Sequence, residues 1–307
     1  MNLLFNTLHK FHCHSTHQKL VLDAVHHLSG DSMPRWRNLL LKHHEPLLRG
    51  AIDPDTKFQD FENHVLSRAA SSDGGAQQAA RHWYGLLVEA LHEQNWREAA
   101  YRTGVLSHYY TDPLQPLHAE YTPAAVTLHQ LLERSVRHGY DRLRAAAERA
   151  RIPAVRVPHG ERWLERMVEE GAEEARTQQE TLLAQFNVRI AKKNPARALN
   201  GPCRDILSRL LGHATAGTAK IVERALTEAA VDPPKVLLLS EAAKANLAVP
   251  AQVAARRLAE DREAEAIRAT FRELQRRGRV DENLSPEVLA LREHFEVAPA
   301  STNPRAA

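Results

Sequence analysis

The chain reads as an all-α protein, and three observations predict it. Ala, Leu, Arg and Glu are abundant in the 307 residues, while aromatics make up only 6%, a balance that favours helix over sheet. Apolar residues recur at helical spacing in one segment after another. Pro and Gly breaks punctuate those segments. A hydrophobic fraction of 43% suffices for one large domain, or for one domain with an appendage.

The elements follow in order. After a cluster of His9, His12, Cys13, His14 and His17, a helix is predicted from His17, with Leu20, Val21, Ala24, Val25 and Leu28 on one stripe. Ser15 or Thr16 is placed to cap it. A helix over 34–49 follows Pro34, carrying Trp36, Leu39, Leu40, Leu47 and Leu48. Gly50 closes it, and Pro54 predicts an extended turn. Residues 71–75, Ser-Ser-Asp-Gly-Gly, form a flexible break before a helix from Ala76 to Glu93. The next helix runs from Trp96 to Thr111, with Tyr109 and Tyr110 expected around any site it carries. Pro113 and Pro116 then turn the chain. Thr122-Pro123 starts another helix, with Leu128, Leu131, Leu132 and Val136 inward. A loop over 151–160, a helix over 161–190, breaks at Pro195 and at 200–202, and a helix over 204–230 complete the first region. Asp232-Pro233-Pro234 is the clearest linker, dividing residues 1–232 from an Ala-, Arg- and Glu-rich extension, 233–307. Two or three short helices, punctuated by Pro250 and by Arg276-Arg277-Gly278-Arg279, are expected there, with a disordered tail from Ala298.

Charge and targeting signals narrow the classes. A net charge of +3 argues against a dedicated nucleic-acid binder. No run approaches the roughly 20 apolar residues of a membrane span. The first ten residues are interrupted too early for a signal-peptide core, and Cys13 and Cys203 make no disulfide framework. The cytoplasm is the expected compartment.

The chemistry concentrates in His108–His118. His108 and Asp112 lie four apart, on one helix face, and His118 follows the Pro turn. His129 and Glu133 repeat the spacing farther on. With eighteen histidines in the chain, one such pair is more simply structural; two pairs with a Gln-Pro-Leu-His turn between them point to metal. Imidazole and carboxylate without thiolate is a ligand set for zinc.

These motifs, His108-Tyr109-x-x-Asp112-x-x-Gln115-Pro116-x-His118 followed by His129-x-x-x-Glu133, resemble those of the bacterial zinc-dependent phospholipase C family, which is related to zinc nucleases of the S1/P1 type. The resemblance implies a multi-helix domain and a centre of two to three zinc ions that hydrolyses phosphate esters. It adds His17, Asp55 (with Asp53 as rival) and His64 to the set, so that His64, His108 and Asp112 would hold one ion. His118, His129 and Glu133 would hold a second, and Asp112 would bridge to a third with His17. Asp55 would orient or deprotonate the attacking water. The family's N-terminal Trp ligand has no counterpart; His12 or His14 are substitutes for it. The implied partner is a phospholipid or another phosphoester. A single-strand nuclease and a non-catalytic zinc-stabilised scaffold are the alternatives.

Overall fold

The structure, a computed structural model, describes residues 3–66, 75–119, 123–150 and 155–297. The all-α expectation holds: no strand occurs among the described residues. No described helix is long and apolar enough to cross a membrane. The tail from Ala298, Tyr121 and residues 71–74 of the break expected over 71–75 lie outside the described residues.

The N-terminus forms α1 (Leu3–Thr7), continued by a π-helical turn to His12, and then α2 (Thr16–His27). Ser15 starts α2 through a capping box: its hydroxyl accepts the Gln18 N–H at 3.1 Å and the Gln18 side chain accepts the Ser15 N–H at 3.2 Å. The single helix expected over 34–49 is two, α3 (Met33–Lys42) and α4 (His44–Gly50). Pro46 explains the break, because its ring clashes with the carbonyl four residues back, at Lys42. Pro54 opens a π-helical turn, Pro54–Phe58, instead of an extended one. Its fixed φ suits the first turn of a helix.

Next come α5 (Ala76–His92) and α6 (Trp96–Thr111). Helix α6 crosses α4 backbone to backbone: a Cβ on Gly50 would collide with the Tyr101 carbonyl, and one on Gly104 with the Leu47 carbonyl. Two bare glycine faces therefore set the position of the helix that carries His108. The chain continues through α7 (Pro116–Ala119) into α8 (Pro123–Ala150). Leu131 and Leu132 of α8 are buried as expected. The helix expected over 161–190 is interrupted, giving α9 (Trp163–Gln185) and α10 (Val188–Lys193). Asn187 starts the second by accepting the Ile190 N–H at 2.9 Å.

Helix α11 (Gly201–Ala229) packs against α2, α8 and α9. The extension departs from expectation: it forms one long helix, α12 (Leu239–Arg277), which runs through Pro250, and then α13 (Pro286–Val297). Pro250 is exposed and Asn246 lies near the surface, so the carbonyl that the missing N–H leaves free is close to water.

The buried residues form two main clusters. One gathers Leu22, Leu47, Leu106, Tyr109 and Tyr110; the other gathers Leu114, Leu117, Leu131, Leu132 and Tyr140. The stretch from His108 to His118 passes from the first to the second. The polar residues between its apolar anchors are thereby held at a junction within the fold.

Candidate metal centre

Helix α6 ends at Thr111 because Pro113 cannot continue it, and a single 3-10 turn over Asp112–Leu114 follows. The Gln115 carbonyl accepts the His118 N–H at 3.0 Å and starts α7. This reversal brings His118 back onto Asp112, with Nδ1 at 2.9 Å from Oδ2.

Asp112 is the hub. Its Oδ1 lies 3.3 Å from His17 Nε2, and its Oδ2 also lies 3.0 Å from His64 Nδ1. On one side Asp55 Oδ1 stands 3.5 Å from His64 Nδ1 and 3.4 Å from His108 Nε2. The ring of His108 is fixed by its Nδ1, which donates to the Ala51 carbonyl at 3.0 Å. That of His17 is fixed by the Thr111 hydroxyl, 3.1 Å from Nδ1. Asp60 backs His64: it accepts the Tyr109 hydroxyl at 2.7 Å and brings its other oxygen within 3.9 Å of His64 Nε2.

On the other side the rings of His118 and His129 are stacked, 4.9 Å apart at 8°, with their Nε2 atoms only 2.7 Å apart. Glu133 reaches to 3.6 Å from His129 Nδ1 and 3.9 Å from His118 Nε2. A further carboxylate, Glu287 of α13, stands 3.1 Å from His118 Nε2 and 3.7 Å from His129 Nε2.

Whether this set fits a cation is decided by its unpaired atoms. His64 Nδ1, His108 Nε2, Asp112 Oδ2, His118 Nδ1 and His129 Nδ1 are all buried, and apart from the close approaches of His64 and His118 to Asp112 none makes a well-aligned hydrogen bond. Leaving one such group unsatisfied costs roughly 1–3 kcal/mol, so several gathered in one buried cluster call for shared partners. The ligand atoms of His118, His129, Glu133 and Glu287 lie within 4.8 Å of one another, as do those of His17, His108 and Asp112, and those of Asp55, His64 and His108. Nitrogen and oxygen donors without thiolate suit zinc.

The electrostatics follow the same layout. Burial pushes the Asp55 carboxyl up to about 7, with Glu287 and Asp112 adding like-charge repulsion. Burial would also raise Asp112, but His118, His17 and His64 outweigh it and hold Asp112 well below the usual carboxylate range. Burial works against a charge on His118, yet Asp112 and Glu287 hold it well above the ordinary value. Burial lowers His108 well below that value, and it lowers His129 to about 4.

Residues 9–180 match the family model of zinc dependent phospholipase C, more than half of the chain. The chain belongs to that family. This zinc-dependent phospholipase C family member also shares its fold with alpha toxin from Clostridium absonum, at 15% identity and a TM-score of 0.54, over 71% of this chain and 65% of the toxin. It is similar likewise to Clostridium perfringens alpha-toxin from avian strain SWCP, at 14% identity and a TM-score of 0.53, over 71% of this chain and 64% of the toxin. It thus spans slightly less than two thirds of the length of either toxin. No curated protein sequence matches the chain.

The structure brings together all eight site residues read in this family member: His17, Asp55, His64, His108, Asp112, His118, His129 and Glu133. Of the two rival carboxylates it is Asp55 that faces the histidines, while Asp53 accepts the Tyr101 hydroxyl at 2.7 Å. His12 and His14 are engaged away from the ligand cluster. His12 Nε2 donates to the Ala245 carbonyl at 2.9 Å, and His14 Nε2 lies 2.8 Å from Gln252 Oε1, so both rings hold α12. Tyr109 packs edge-on against His64 and His108, as expected. Tyr110, one residue on, points away and seats on Gly217 of α11, where any side chain would collide with it. Glu287 is absent from the set read in the sequence; no local spacing marks it, since its partners lie more than 150 positions earlier in the chain.

Proposed function

We propose that the chain is a zinc-dependent phosphoester hydrolase of the phospholipase C type, cleaving a phospholipid headgroup ester. One observation carries the choice of substrate. The ligand cluster borders a cleft of about 190 Å³, lined by His17, Asp55, Asp112, Glu133 and Glu287. Leu20, Leu114, Leu132, Val136, Leu207 and Leu211 form an apolar wall beside them. A headgroup phosphate at the ligands would leave the glyceride part against that wall, out of water. A single-strand nuclease needs cations tracking the phosphates. Arg137 is the one cation among the described lining residues, and it is paired with Glu263.

The residues that would hold zinc are His64, His108 and Asp112 on one side and His118, His129 and Glu133 on the other. Asp112 and His17 offer a third position, for two to three ions in all. Zinc bound there supplies Lewis acidity, lowering the pKa of a water and offsetting phosphate charge. The chain does the rest. Asp55, 35% exposed at the cleft and 3.4–3.5 Å from His108 and His64, is placed to orient a water and take its proton. The Ala51 carbonyl and the Thr111 hydroxyl keep His108 and His17 turned so that Nε2 faces the centre.

The test offers the purified chain phosphatidylcholine vesicles and single-stranded DNA, before and after chelation and zinc readdition. Headgroup phosphate should be released, lost on chelation and restored by zinc. His108→Ala should abolish zinc binding at its side of the centre and turnover, while exposed His82→Ala keeps both. Nucleotide release without headgroup release would make the chain a nuclease. Retained zinc without turnover on either substrate would make it a scaffold.

A further inference from the structure

The segment beyond the Pro233-Pro234 linker reaches the metal centre. Helix α12 is pinned along α8 and the N-terminus, by Glu263 to Arg134 and Arg137 and by Gln252 to His14. At its end the chain is reversed by a carboxylate-centred turn. Buried Glu273 accepts the N–H groups of Asp281, Glu282 and Asn283, each at 2.9 Å, and the Asn283 side-chain amide at 2.8 Å. Gly278 takes the left-handed conformation, φ +73°, that ends α12. The Thr270 hydroxyl donates to the Asn283 carbonyl at 2.7 Å and ties the turn to α12. Helix α13 then packs against α8 and the 3-10 turn Phe61–His64, and its second residue is Glu287.

Glu287 belongs to two ligand groups at once. One oxygen lies within 4.8 Å of ligand atoms of His118, His129 and Glu133, and the residue also meets His64 and Asp112 within that limit. Its side chain is 18% exposed, and besides the imidazoles of His118 and His129 it meets two further carboxylates, Glu133 in one group and Asp112 in the other. Carboxylates crowded together under cover repel unless cations lie between them.

We propose that Glu287 is a metal ligand contributed by the C-terminal segment, and that it holds the coordination position a substrate phosphate must take. With His118, His129 and Glu133 it makes four protein ligands, the closed count of a structural zinc site. Three ligands with one open position is the catalytic pattern. The chain thereby closes its own centre, and turnover requires α13 to withdraw Glu287. This rests on the zinc reading above and extends it to a segment outside the family match, which ends at residue 180.

The test uses the full chain: wild type, Glu287→Ala and Glu287→Gln. Zinc affinity is read by competition with a chromophoric chelator, and hydrogen exchange over residues 286–293 with and without zinc. In wild type, zinc should slow exchange over 286–293. Glu287→Ala should lose that protection and bind its weakest zinc roughly tenfold or more less tightly, the least that loss of even an outer-shell partner costs. Glu287→Gln should fall between. Unchanged zinc affinity in Glu287→Ala, or exchange over 286–293 indifferent to zinc in wild type, overturns the proposal and leaves the hydrolase reading standing. Wild type that binds no zinc at all overturns the hydrolase reading, and this one with it.

Discussion

In one half of the centre, His108 and His17 each commit a ring nitrogen to a fixed neighbour, the Ala51 carbonyl and the Thr111 hydroxyl, and turn the other inward. In the other half, His118 and His129 stack face to face, and each Nδ1 faces a carboxylate of the centre itself, Asp112 at 2.9 Å and Glu133 at 3.6 Å. The first half is built into α2, α6 and the turns beside them, and the Gly50–Gly104 crossing leaves α6 little freedom. The second takes its ligands from α7, α8 and α13, the last of them far along the chain from the other two. Preorganised ligands bind with little reordering, whereas ligands gathered from distant elements are ordered by the ion itself. The first half should therefore behave as part of the fold, and the second as a metal-dependent closure.

The largest expected effect comes from breaking what the halves share. Asp112→Asn removes charge from the carboxylate that meets His17, His64 and His118. Metal content should fall in both halves, and turnover should drop by roughly 100-fold or more. Elemental analysis alongside phosphodiester hydrolysis checks it, and loss confined to one ion would show that Asp112 does not join them.

A smaller effect sharpens the contrast. Thr111→Val takes away only the neighbour of His17 Nδ1. Zinc affinity at the His17 position should weaken by roughly 10- to 100-fold, with the remaining zinc retained. Chelator competition resolves the two classes of ion; uniform weakening of every ion would mean that the first half is no more preorganised than the second.

The smallest effect concerns the turn that delivers α13. Backbone N–H groups, led by that of Asp281, lower the Glu273 carboxyl to about 2 from an ordinary 4.5. A depressed carboxyl contributes stability that is present above pH 4.5 and is lost as pH falls from 4.5 towards 2. Amide resonances of Asp281, Glu282 and Asn283 should titrate with a midpoint near 2, and a midpoint near 4.5 would show that the turn is not held by Glu273.

Much of the centre is legible in the sequence. His108, Asp112, His129 and Glu133 announce themselves because a helix places residues four apart on one face, and Pro113 and Pro116 announce the reversal that returns His118. Other features are not legible there. The Asp53–Asp55 choice depends on which way a π-helical turn faces, and two residues of spacing do not decide that. Tyr109 and Tyr110 are chemically alike neighbours, yet about 100° of helical rotation sends one to the centre and the other to Gly217. Pro250 suggests a break, but a missing N–H matters little where the freed carbonyl meets water.

By itself, the sequence determined the helical class and the helix that carries His108, and through its family resemblance it singled out the eight candidate site residues and their imidazole–carboxylate chemistry, because composition, helical period and Pro punctuation act locally along the chain. Only the tertiary structure decided that Asp112 stands between both halves, that His12 and His14 serve α12 instead of the centre, and that Glu287 arrives from the far end of the chain. Each of those depends on how distant helices pack, and packing follows the summed burial of whole faces, which no single spacing encodes.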